Sequence, residues 1–373
     1  MASRHRSACI MMPAELKALF TTDTPLIDVR AAVEYAQGAF PTAINLPIMD
    51  DKERQSVGIC YKQDGAEAAE RLGHELVSGN IRELRVQAWQ AFADQNPNAR
   101  LYCFRGGKRS ELAVEWLRAS GYNVPRIPGG YKALRSYLLT VVEALPPLMI
   151  LGGKTGNGKT DLLANLTRLV DLEKRANHRG SAFGRQIEAQ PSQIDFENRL
   201  AIDFLKLGAD STASPVVVED EGRLIGRVSL PLPLQAAMKQ APLVLLEGGL
   251  EDRVERILKE YIIQQYAQFT AREPDPELAL AAHSAVFLAG IDGIRKRLGG
   301  VEHKRLRASI GNAFAAQAKG DFEQHRAWIR DLLSNYYDPM YDYQIDIKAD
   351  RIVFRGDFDS VTEYLCAREA EAR

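Results

Sequence analysis

The sequence predicts an α/β protein in which two parallel-sheet domains follow each other, the second ending in a helical part. Short apolar strands alternate with segments of helical periodicity along the chain, which is typical of parallel sheets. Two glycine-rich loops, one carrying a cysteine and one carrying Lys-Thr, each follow such a strand. A length of 373 residues leaves room for two or three domains.

Composition narrows the class of protein. Hydrophobic residues make up 46% of the chain and charged residues 26%, as in globular proteins in general. No apolar run approaches the roughly 20 residues that span a bilayer, so we expect a cytoplasmic protein without a membrane partner. The four cysteines form no C-x-x-C pair, which argues against a disulfide framework or a structural zinc site: Cys9, Cys60, Cys103 and Cys366. The net charge of −1 does not indicate a nucleic-acid partner, but it does not exclude one, because binding requires only a local basic face.

The first domain is predicted from eight successive segments. Helical spacing covers residues 13–20, 32–36, 67–77 and 111–119, and apolar strands cover 26–29, 43–46, 100–104 and 122–127. Asp28 at the end of the first strand is expected to brace the sheet end or an arginine. The order of these segments favours a mostly parallel sheet.

The loop after the strand at 100–104 is the first candidate site. Cys103 should lie where the amides of a Gly106-Gly107 turn and a helix N-terminus converge, and this setting favours the thiolate. The cations expected to hold an anion there are Arg105, Lys108 and Arg109. A free cysteine is often only a small buried hydrophobe, but that reading leaves the two glycines and three cations without a purpose. We therefore predict that Cys103 is catalytic.

Cysteine phosphatases offer a competing interpretation, because Cys103 to Arg109 also fits their Cys-x5-Arg signature. Tyr102 occupies the position where those enzymes usually carry a histidine, and no loop with an acidic general acid is recognisable. Phosphatase chemistry is therefore disfavoured.

The second domain opens with a phosphate-binding motif. Pro146 and Pro147 end the preceding helix, an apolar strand covers 148–151, and a helix is predicted over 161–170. Between strand and helix the chain satisfies the phosphate-binding motif G-x-x-x-x-G-K-[ST]. Its glycines, which allow phosphate to approach the backbone, are Gly153, Gly156 and Gly158, and they are followed by Lys159 and Thr160. We expect Lys159 to contact terminal phosphates and Thr160 to ligate Mg²⁺ if a metal is used.

Several further segments are candidates with weaker signals. Glu219 and Asp220 end an apolar strand and could hold Mg²⁺ through water, although such acids are commonly solvated strand caps. The loop 176–184 has the composition of a binding loop and contributes His178, Arg179 and Ser181. A basic segment is either a solvated helix face or an RNA-binding surface, through Arg295, Lys296, Arg297, Lys304, Arg305 and Arg307. Residues 345–347 and 351–354 are predicted as a last strand or hairpin.

Residues 1–140 resemble a rhodanese domain in the strand with Asp28 and Arg30, the stretch 38–45, the Cys103 loop and the closing turn at 127–130. In that family the cysteine handles sulfur and the loop after it cradles an anion. Phe104 stands where common sulfurtransferases have arginine, which leaves open a substrate other than thiosulfate. Residues 141–373 then follow as a P-loop NTPase-like domain with a helical C-terminal part.

The rhodanese domain joined directly to a P-loop resembles the tRNA 2-selenouridine synthase family over nearly the whole chain. The resemblance implies a transferase that replaces sulfur by selenium in 2-thiouridine at the wobble position of the tRNA anticodon arm. It also implies selenophosphate as selenium donor, an S-geranyl intermediate made from geranyl diphosphate, no tightly bound cofactor, and an enzyme that supplies selenophosphate. In this reading the P-loop grips the diphosphate, and Cys103 either carries selenium or attacks the base near C2.

Two rival functions stay open at this stage. A rhodanese-type persulfide sulfurtransferase fused to an ATP-hydrolysing P-loop domain would transfer sulfur and turn over ATP without RNA. A nucleotide-regulated binding protein would keep Cys103 only as a vestige. The tRNA-modifying transferase is the leading interpretation, and these two are its rivals.

Overall fold

The computed structural model describes residues 11–208 and 214–370; Cys9 lies outside them. The described residues form two compact units. The first comprises residues 11–144 and 192–208, and the second comprises 145–191 and 214–370. No helix in these ranges is both long and apolar enough to traverse a bilayer.

The first unit is built on a parallel sheet of order β2-β1-β3, with β1 Leu26–Asp28, β2 Ala43–Asn45 and β3 Arg100–Tyr102. The strand predicted over 122–127 is reduced to a single bridge between Leu101 and Arg126. Pro125 explains this difference, since it accepts a hydrogen bond from Leu101 through its carbonyl but has no N–H to donate.

Seven helices surround this sheet before the chain leaves the unit: α1 Pro13–Thr21, α2 Ala32–Gln37, α3 Asp51–Asp64, α4 Ala66–Leu76, α5 Gly79–Gln95, α6 Lys108–Ala119 and α7 Gly130–Glu143. Side chains alternate between the two faces of the sheet, as strand geometry requires. Leu26 and Tyr102 pack on the face covered by α1 and α7. Ile27, Leu101 and Cys103 pack on the opposite face, against α6.

The chain then forms β4 Leu148–Gly153, α8 Lys159–Leu163, β5 Leu169–Val170 and α9 Leu172–Ala176 before α10 Gln193–Leu207. The predicted helix over 161–170 is therefore wrong beyond residue 163. Glu369 provides the physical reason, because its carboxylate accepts the amide protons of Thr167 and Arg168 at 3.1 Å and 2.8 Å. These amides are thereby removed from helical hydrogen bonding.

Helix α10 packs in the first unit, although the sequence predicted contiguous domains at 1–140 and 141–373. Its residues Ala201, Ile202 and Leu205 join the apolar cluster around Leu26 and Leu138. The buried Asn198 donates to the Ala39 carbonyl at 2.8 Å. The first unit therefore extends to residue 144 and also includes α10, which returns to it from the second half of the chain.

The second unit contains a five-stranded parallel sheet of order β10-β9-β4-β6-β5 and a small antiparallel hairpin, β7-β8. The remaining strands are β6 Val216–Glu219, β7 Leu224–Ile225, β8 Val228–Ser229, β9 Leu243–Leu246 and β10 Ile352–Gly356. The last strand confirms the prediction at 351–354, whereas residues 345–347 are helical. Strand β4 lies at the centre, where the strand order reverses, and parallel sheets bind ligands beyond the carboxyl ends of strands at such a point.

Helices form the rest of the second unit: α11 Leu232–Gln240, α12 Leu250–Ile257, α13 Gln265–Arg272, α14 Pro276–Gly293, α15 Arg295–Leu298, α16 Gly300–Gln317, α17 His325–Leu332, α18 Asp338–Ile347 and α19 Phe358–Ala370. Two π-helical segments, Leu258–Gln264 and Leu333–Tyr337, interrupt this part. Their side chains share one core with Phe287, Phe314 and Trp328. Single π-helical turns are frequent at functional sites.

Candidate functional sites

Cys103 lies directly after β3 and is 3% exposed. Its thiol donates a hydrogen bond to Ser110 Oγ at 3.2 Å, and that hydroxyl in turn donates to the Gly107 carbonyl at 2.9 Å. The sulfur is therefore held at the base of its loop by a buried polar contact from α6.

The backbone of this loop has the free donors expected of an anion site. Among the described residues, no acceptor is bonded to the amide N–H groups of residues 105–109. Gly106 adopts a left-handed conformation with φ of 63°, and α6 begins immediately afterwards at Lys108. Successive unpaired amides at the positive end of a helix bind anions well.

A second glycine turn, at residues 127–130, packs against the backbone of the cysteine loop. A Cβ on Gly106 would lie 2.6 Å from the Gly129 nitrogen, and one on Gly130 would collide with the Cys103 carbonyl. The amides of Tyr131 and Lys132 donate to the carbonyls of Cys103 and Phe104 at 2.9 Å and 3.0 Å. Only glycines allow the two turns to approach this closely.

The three cations of the loop differ in their partners. Lys108 pairs with Glu70 at 2.6 Å, and Arg109 makes two hydrogen bonds to Glu34 at 2.6 Å and 3.2 Å. Burial alone would raise the pKa of Glu34, but the hydrogen bonds from Arg109 hold it below its ordinary value. Arg105 has no ion pair within the described ranges and lies beside the Phe104 ring. The free amides and Arg105 are thus immediately available to an anion, whereas Lys108 and Arg109 would have to leave carboxylates.

Asp28 braces an arginine, as predicted. Its carboxylate accepts hydrogen bonds from Arg30 at 2.5 Å to 3.0 Å, with both side chains almost fully buried. Arg30 also lies 3.9 Å from the centroid of the Tyr131 ring. This pair supports the carboxyl end of the sheet near the cysteine loop and is saturated by its partners.

The phosphate-binding motif forms the loop between β4 and α8. Gly153 has no room for a side chain, since a Cβ would lie 2.7 Å from the Leu246 carbonyl, and Gly158 is left-handed with φ of 87°. The amides of Gly156, Gly158, Lys159 and Thr160 carry no hydrogen bond to any described residue. Lys159 Nζ donates to the Gly153 carbonyl at 2.8 Å and so lies across the mouth of the loop.

Two arginines of α12 hold this loop, and the sequence reasoning missed both. The buried Arg253 donates to the Thr155 carbonyl at 2.9 Å and pairs with Asp338 at 2.6 Å. Arg256 donates to the Gly156 carbonyl at 2.9 Å. Their spacing of three residues places them on one helix face, directly after a strand and a Gly-Gly pair. That spacing was the available signal.

A polar pocket of about 370 Å³ opens beside the phosphate-binding loop. Arg179 and Ser181 from the predicted binding loop line it, and Arg179 pairs with Glu260 at 2.5 Å. His178 is not part of this wall; its burial lowers the pKa of its imidazole. Arg297, expected to contact RNA, lies in the pocket wall instead.

Three glutamates lie in this region: Glu173 and Glu221 are half-buried and line the pocket, whereas Glu219 is fully buried and does not line it. Burial raises the pKa of Glu173 and of Glu219 to about 8 and that of Glu221 to about 7. Glu219 accepts the Glu173 amide proton at 3.0 Å, and its other oxygen, Oε1, is buried without a partner in the described ranges. Asp220 is bound by Lys348 at 2.6 Å. Asp220 therefore lines the pocket but is paired, whereas Glu219 has an unpaired oxygen but does not line the pocket.

Metal coordination by side chains alone is not provided here. No group of three or more His, Cys, Asp or Glu residues in ranges 11–208 and 214–370 could hold a metal ion. Mg²⁺ usually needs only one or two carboxylates, because waters and substrate phosphates complete its shell. Thr160 lines the pocket and Glu219 has an oxygen without a partner in the described ranges; a role for either residue in binding Mg²⁺ stays a prediction.

A narrow apolar cavity of about 30 Å³ adjoins the polar pocket. Thr155, Ser181, Ile257 and Tyr261 line both spaces, so one leads into the other. Beyond them the cavity is walled by aromatic and aliphatic side chains, including Phe183, Phe287, Trp328 and Tyr337. The polar pocket beside the phosphate-binding motif and an apolar crevice are therefore adjacent.

Comparison with known proteins supports the same division of the chain. A family model described as "Rhodanese-like domain" matches residues 12–137, and one described as "tRNA 2-selenouridine synthase AAA domain" matches residues 146–372. The chain belongs to the tRNA 2-selenouridine synthase family. The match confirms the predicted rhodanese domain followed by a P-loop domain.

Individual relatives agree over almost their full lengths. The tRNA 2-selenouridine synthase of Pseudomonas fluorescens is 49% identical, with 95% of this chain and 98% of the relative covered. That of Ectopseudomonas mendocina is 50% identical, with 95% and 96% covered. That of Azotobacter vinelandii is 50% identical, with 96% and 98% covered.

Three of the six predicted RNA-binding cations have other partners or positions: two form ion pairs, and one lines the polar pocket. Arg305 pairs with Glu302 and Asp331, Arg307 pairs with Asp292, and Arg297 faces the polar pocket. Arg295, Lys296 and Lys304 are exposed and form no ion pair within the described part of the chain. These three cations alone keep the predicted RNA-binding role unobstructed.

Proposed function

We propose that this protein converts 2-thiouridine at the tRNA wobble position to 2-selenouridine through an S-geranyl intermediate. The observation that carries the proposal is the presence of two separate loops with unpaired amides, one holding a cysteine and one a P-loop lysine, in a member of this family. One loop suits a thiol reaction at an anion, and the other suits a diphosphate.

The first step is alkyl transfer. The sulfur of 2-thiouridine attacks C1 of geranyl diphosphate, the C–O bond breaks, and the proton from N3 of the base passes to solvent. Lys159 and the unpaired amides of Gly156, Gly158, Lys159 and Thr160 would stabilise the negative charge that develops on the departing diphosphate. Mg²⁺ held by Thr160 and Glu219 would add to that neutralisation.

The apolar cavity beside the P-loop supports a prenyl donor over ATP. A geranyl chain anchored by its diphosphate would extend past Thr155 and Tyr261 towards Phe183, Phe287 and Trp328. The cavity would have to widen to admit the chain, and the two π-helical segments that contribute Tyr261, Leu333 and Tyr337 lie at that point.

The second step replaces sulfur by selenium, and electron balance favours one of the two roles for Cys103. Selenium in selenophosphate and sulfur in a thiol are both fully reduced, so a carrier with an S–Se bond would need a two-electron oxidant. Attack of the Cys103 thiolate on C2 needs none: geranylthiolate leaves and takes a proton. Selenium of selenophosphate then displaces the cysteine, and water cleaves the Se–P bond to release phosphate.

The test is to incubate the purified protein with tRNA bearing 2-thiouridine, geranyl diphosphate and selenophosphate, and to analyse nucleosides by mass spectrometry. Both S-geranyl-2-thiouridine and 2-selenouridine are expected. Absence of both products, together with thiosulfate sulfurtransfer and ATP hydrolysis, would establish the fused sulfurtransferase instead.

Variants separate the two steps. Lys159→Ala should lose geranylation, because the diphosphate loses its main cation. Cys103→Ala should lose selenation and retain geranylation. Equal loss of both steps in the cysteine variant would contradict this assignment.

A further inference from the structure

A large apolar pocket lies against the cysteine loop in the first unit. Helices α3 and α4 form one side of it, through residues such as Val57, Ala69 and Gly73, and α6 forms the other through Leu112 and Trp116. Helix α3 buries none of its residues, and two of its larger apolar side chains, Val57 and Tyr61, line the pocket.

The pocket is connected to the candidate catalytic loop by shared residues. Lys108 and Arg109, the last two residues of the Cys103–Arg109 signature, line its rim. The 2.6 Å ion pair between Lys108 and Glu70 joins α6 to α4 at this rim. A group bound in the pocket would therefore have its polar end at the loop whose amides are unpaired.

The volume of the pocket is about 280 Å³. For comparison, an engineered apolar cavity of about 150 Å³ binds benzene, which has six carbons. On that scale the pocket accommodates an alkyl group of about ten carbons. A phosphate or a bare nucleobase would leave most of its apolar wall without a partner.

We infer that this pocket takes the geranyl chain of S-geranyl-2-thiouridine during the selenation step. The inference rests on the proposed function and assigns a second alkyl-binding site, in a different unit from the P-loop. Burial of the chain would hold C2 of the base at Cys103 and bind the geranylthiol as it leaves. Geranylation would thereby supply binding energy as well as a leaving group.

Gly73 allows the pocket to be filled without disturbing the fold. It lies within α4, and a Cβ placed there meets only a methyl carbon of Val57, at the ordinary contact distance of 3.9 Å. Gly73→Leu would extend a side chain into the pocket while raising helix propensity. Gly73→Ala is the matched control, since it raises propensity equally well and fills little space.

The experiment uses the full chain, selenophosphate and tRNA carrying S-geranyl-, S-dimethylallyl- or S-methyl-2-thiouridine prepared beforehand. The wild type should prefer the geranyl substrate. Gly73→Leu should lower kcat/KM for that substrate by at least about tenfold, mainly through KM, and leave the S-methyl substrate within about twofold. Gly73→Ala should behave as the wild type, and both variants should still geranylate 2-thiouridine.

Two results would overturn the inference. If Gly73→Leu handles the geranyl substrate as well as the wild type does, or loses geranyl and methyl substrates in equal proportion, the pocket does not bind the chain. If the wild type converts no S-alkyl substrate at all, the proposed function fails and the inference fails with it. The wild-type reaction thus distinguishes the two failures.

Discussion

Adjacent glycines of the cysteine loop have different structural requirements. Gly106 is left-handed and has backbone atoms of the 127–130 turn within 3 Å of where a Cβ would be. Gly107 has a negative φ of −98° and open space around the same position. The first glycine is therefore needed for the loop to form, whereas the second is needed only if a ligand approaches its backbone.

We expect Gly106→Ala to destabilise the protein by about 1–3 kcal/mol, because the alanine would adopt a strained conformation. Selenation should be lost, since the loop must move away from Gly129. Gly107→Ala should fold as the wild type does. Thermal unfolding and selenation of S-geranyl tRNA measure both effects, and equal stability of the two variants would contradict the role assigned to Gly106.

The buried glutamates near the P-loop predict a pH dependence of stability. The pKa values of Glu173 and Glu219 rise to about 8 in the folded protein because both side chains are buried. A raised carboxyl pKa means that the folded state binds more protons than the unfolded state above about pH 4.5. Stability should therefore fall as the pH rises from about 5 to 8, and the full cost is present above pH 8.

Glu219→Gln keeps the shape of the side chain and removes its charge. We expect the melting temperature of this variant to exceed that of the wild type by more at pH 8.5 than at pH 6. Glu363→Gln, on an exposed position of α19, serves as the control and should show no such difference. A constant offset for Glu219→Gln across this range would contradict the proposed cost of ionisation.

At the scale of elements, helix α10 is needed to complete the first unit. Asn198 is fully buried and has both of its side-chain groups bonded, to the Ala39 carbonyl at 2.8 Å and to Arg135 at 2.9 Å. Asp195 accepts the Ala39 amide proton at 2.7 Å. The sheet-end segment around Ala39 thus depends on a helix more than 150 residues later in the chain.

Asn198→Ala should destabilise the first unit by about 1–3 kcal/mol, because the Ala39 carbonyl would be left buried without a donor. Hydrogen exchange of peptides from β1 and β3, with mass spectrometry, should report faster opening there than in β4 and β9. Lys206→Ala removes an exposed ion pair with Asp23 and should have little effect. Unchanged exchange in β1 would mean that α10 packs on the unit without stabilising it.

Local signals explain which elements the sequence predicts well. The strands β1, β3, β4 and β9 and both glycine-rich loops follow from short apolar runs and fixed motif spacing. Helix α3 is not predicted, because none of its residues is buried and its sequence therefore shows no apolar periodicity. The sequence also does not predict where α10 packs or what Arg253 and Arg256 bind. Each of these features depends on a partner roughly 100 or more residues away.

For the whole molecule, the central property is that two glycine-rich loops with unpaired amides, both proposed to bind anions, occur in two separate units. Each loop follows a strand of its own parallel sheet, and each has unpaired amides before a helix. The cysteine is present only in the loop of the first unit, as Cys103, and the P-loop lysine only in the loop of the second, as Lys159. If the proposed function holds, alkylation and selenation should therefore be lost separately in different variants of the same chain.

Mixing two inactive variants tests this separation. Cys103→Ala should produce S-geranyl-2-thiouridine tRNA and stop there, while Lys159→Ala should convert that tRNA without making it. Neither variant alone should form 2-selenouridine from 2-thiouridine tRNA, whereas an equimolar mixture with both donors should form it after a lag, because the intermediate must leave one molecule and bind another. Nucleoside mass spectrometry over time follows both modified bases.

If Lys159→Ala fails on tRNA that was geranylated beforehand, the P-loop is also needed for selenation, and the assignment of one step to each unit is wrong. If it succeeds there while the mixture stays inactive, the intermediate is not released, and the two steps are linked by transfer within one protein molecule.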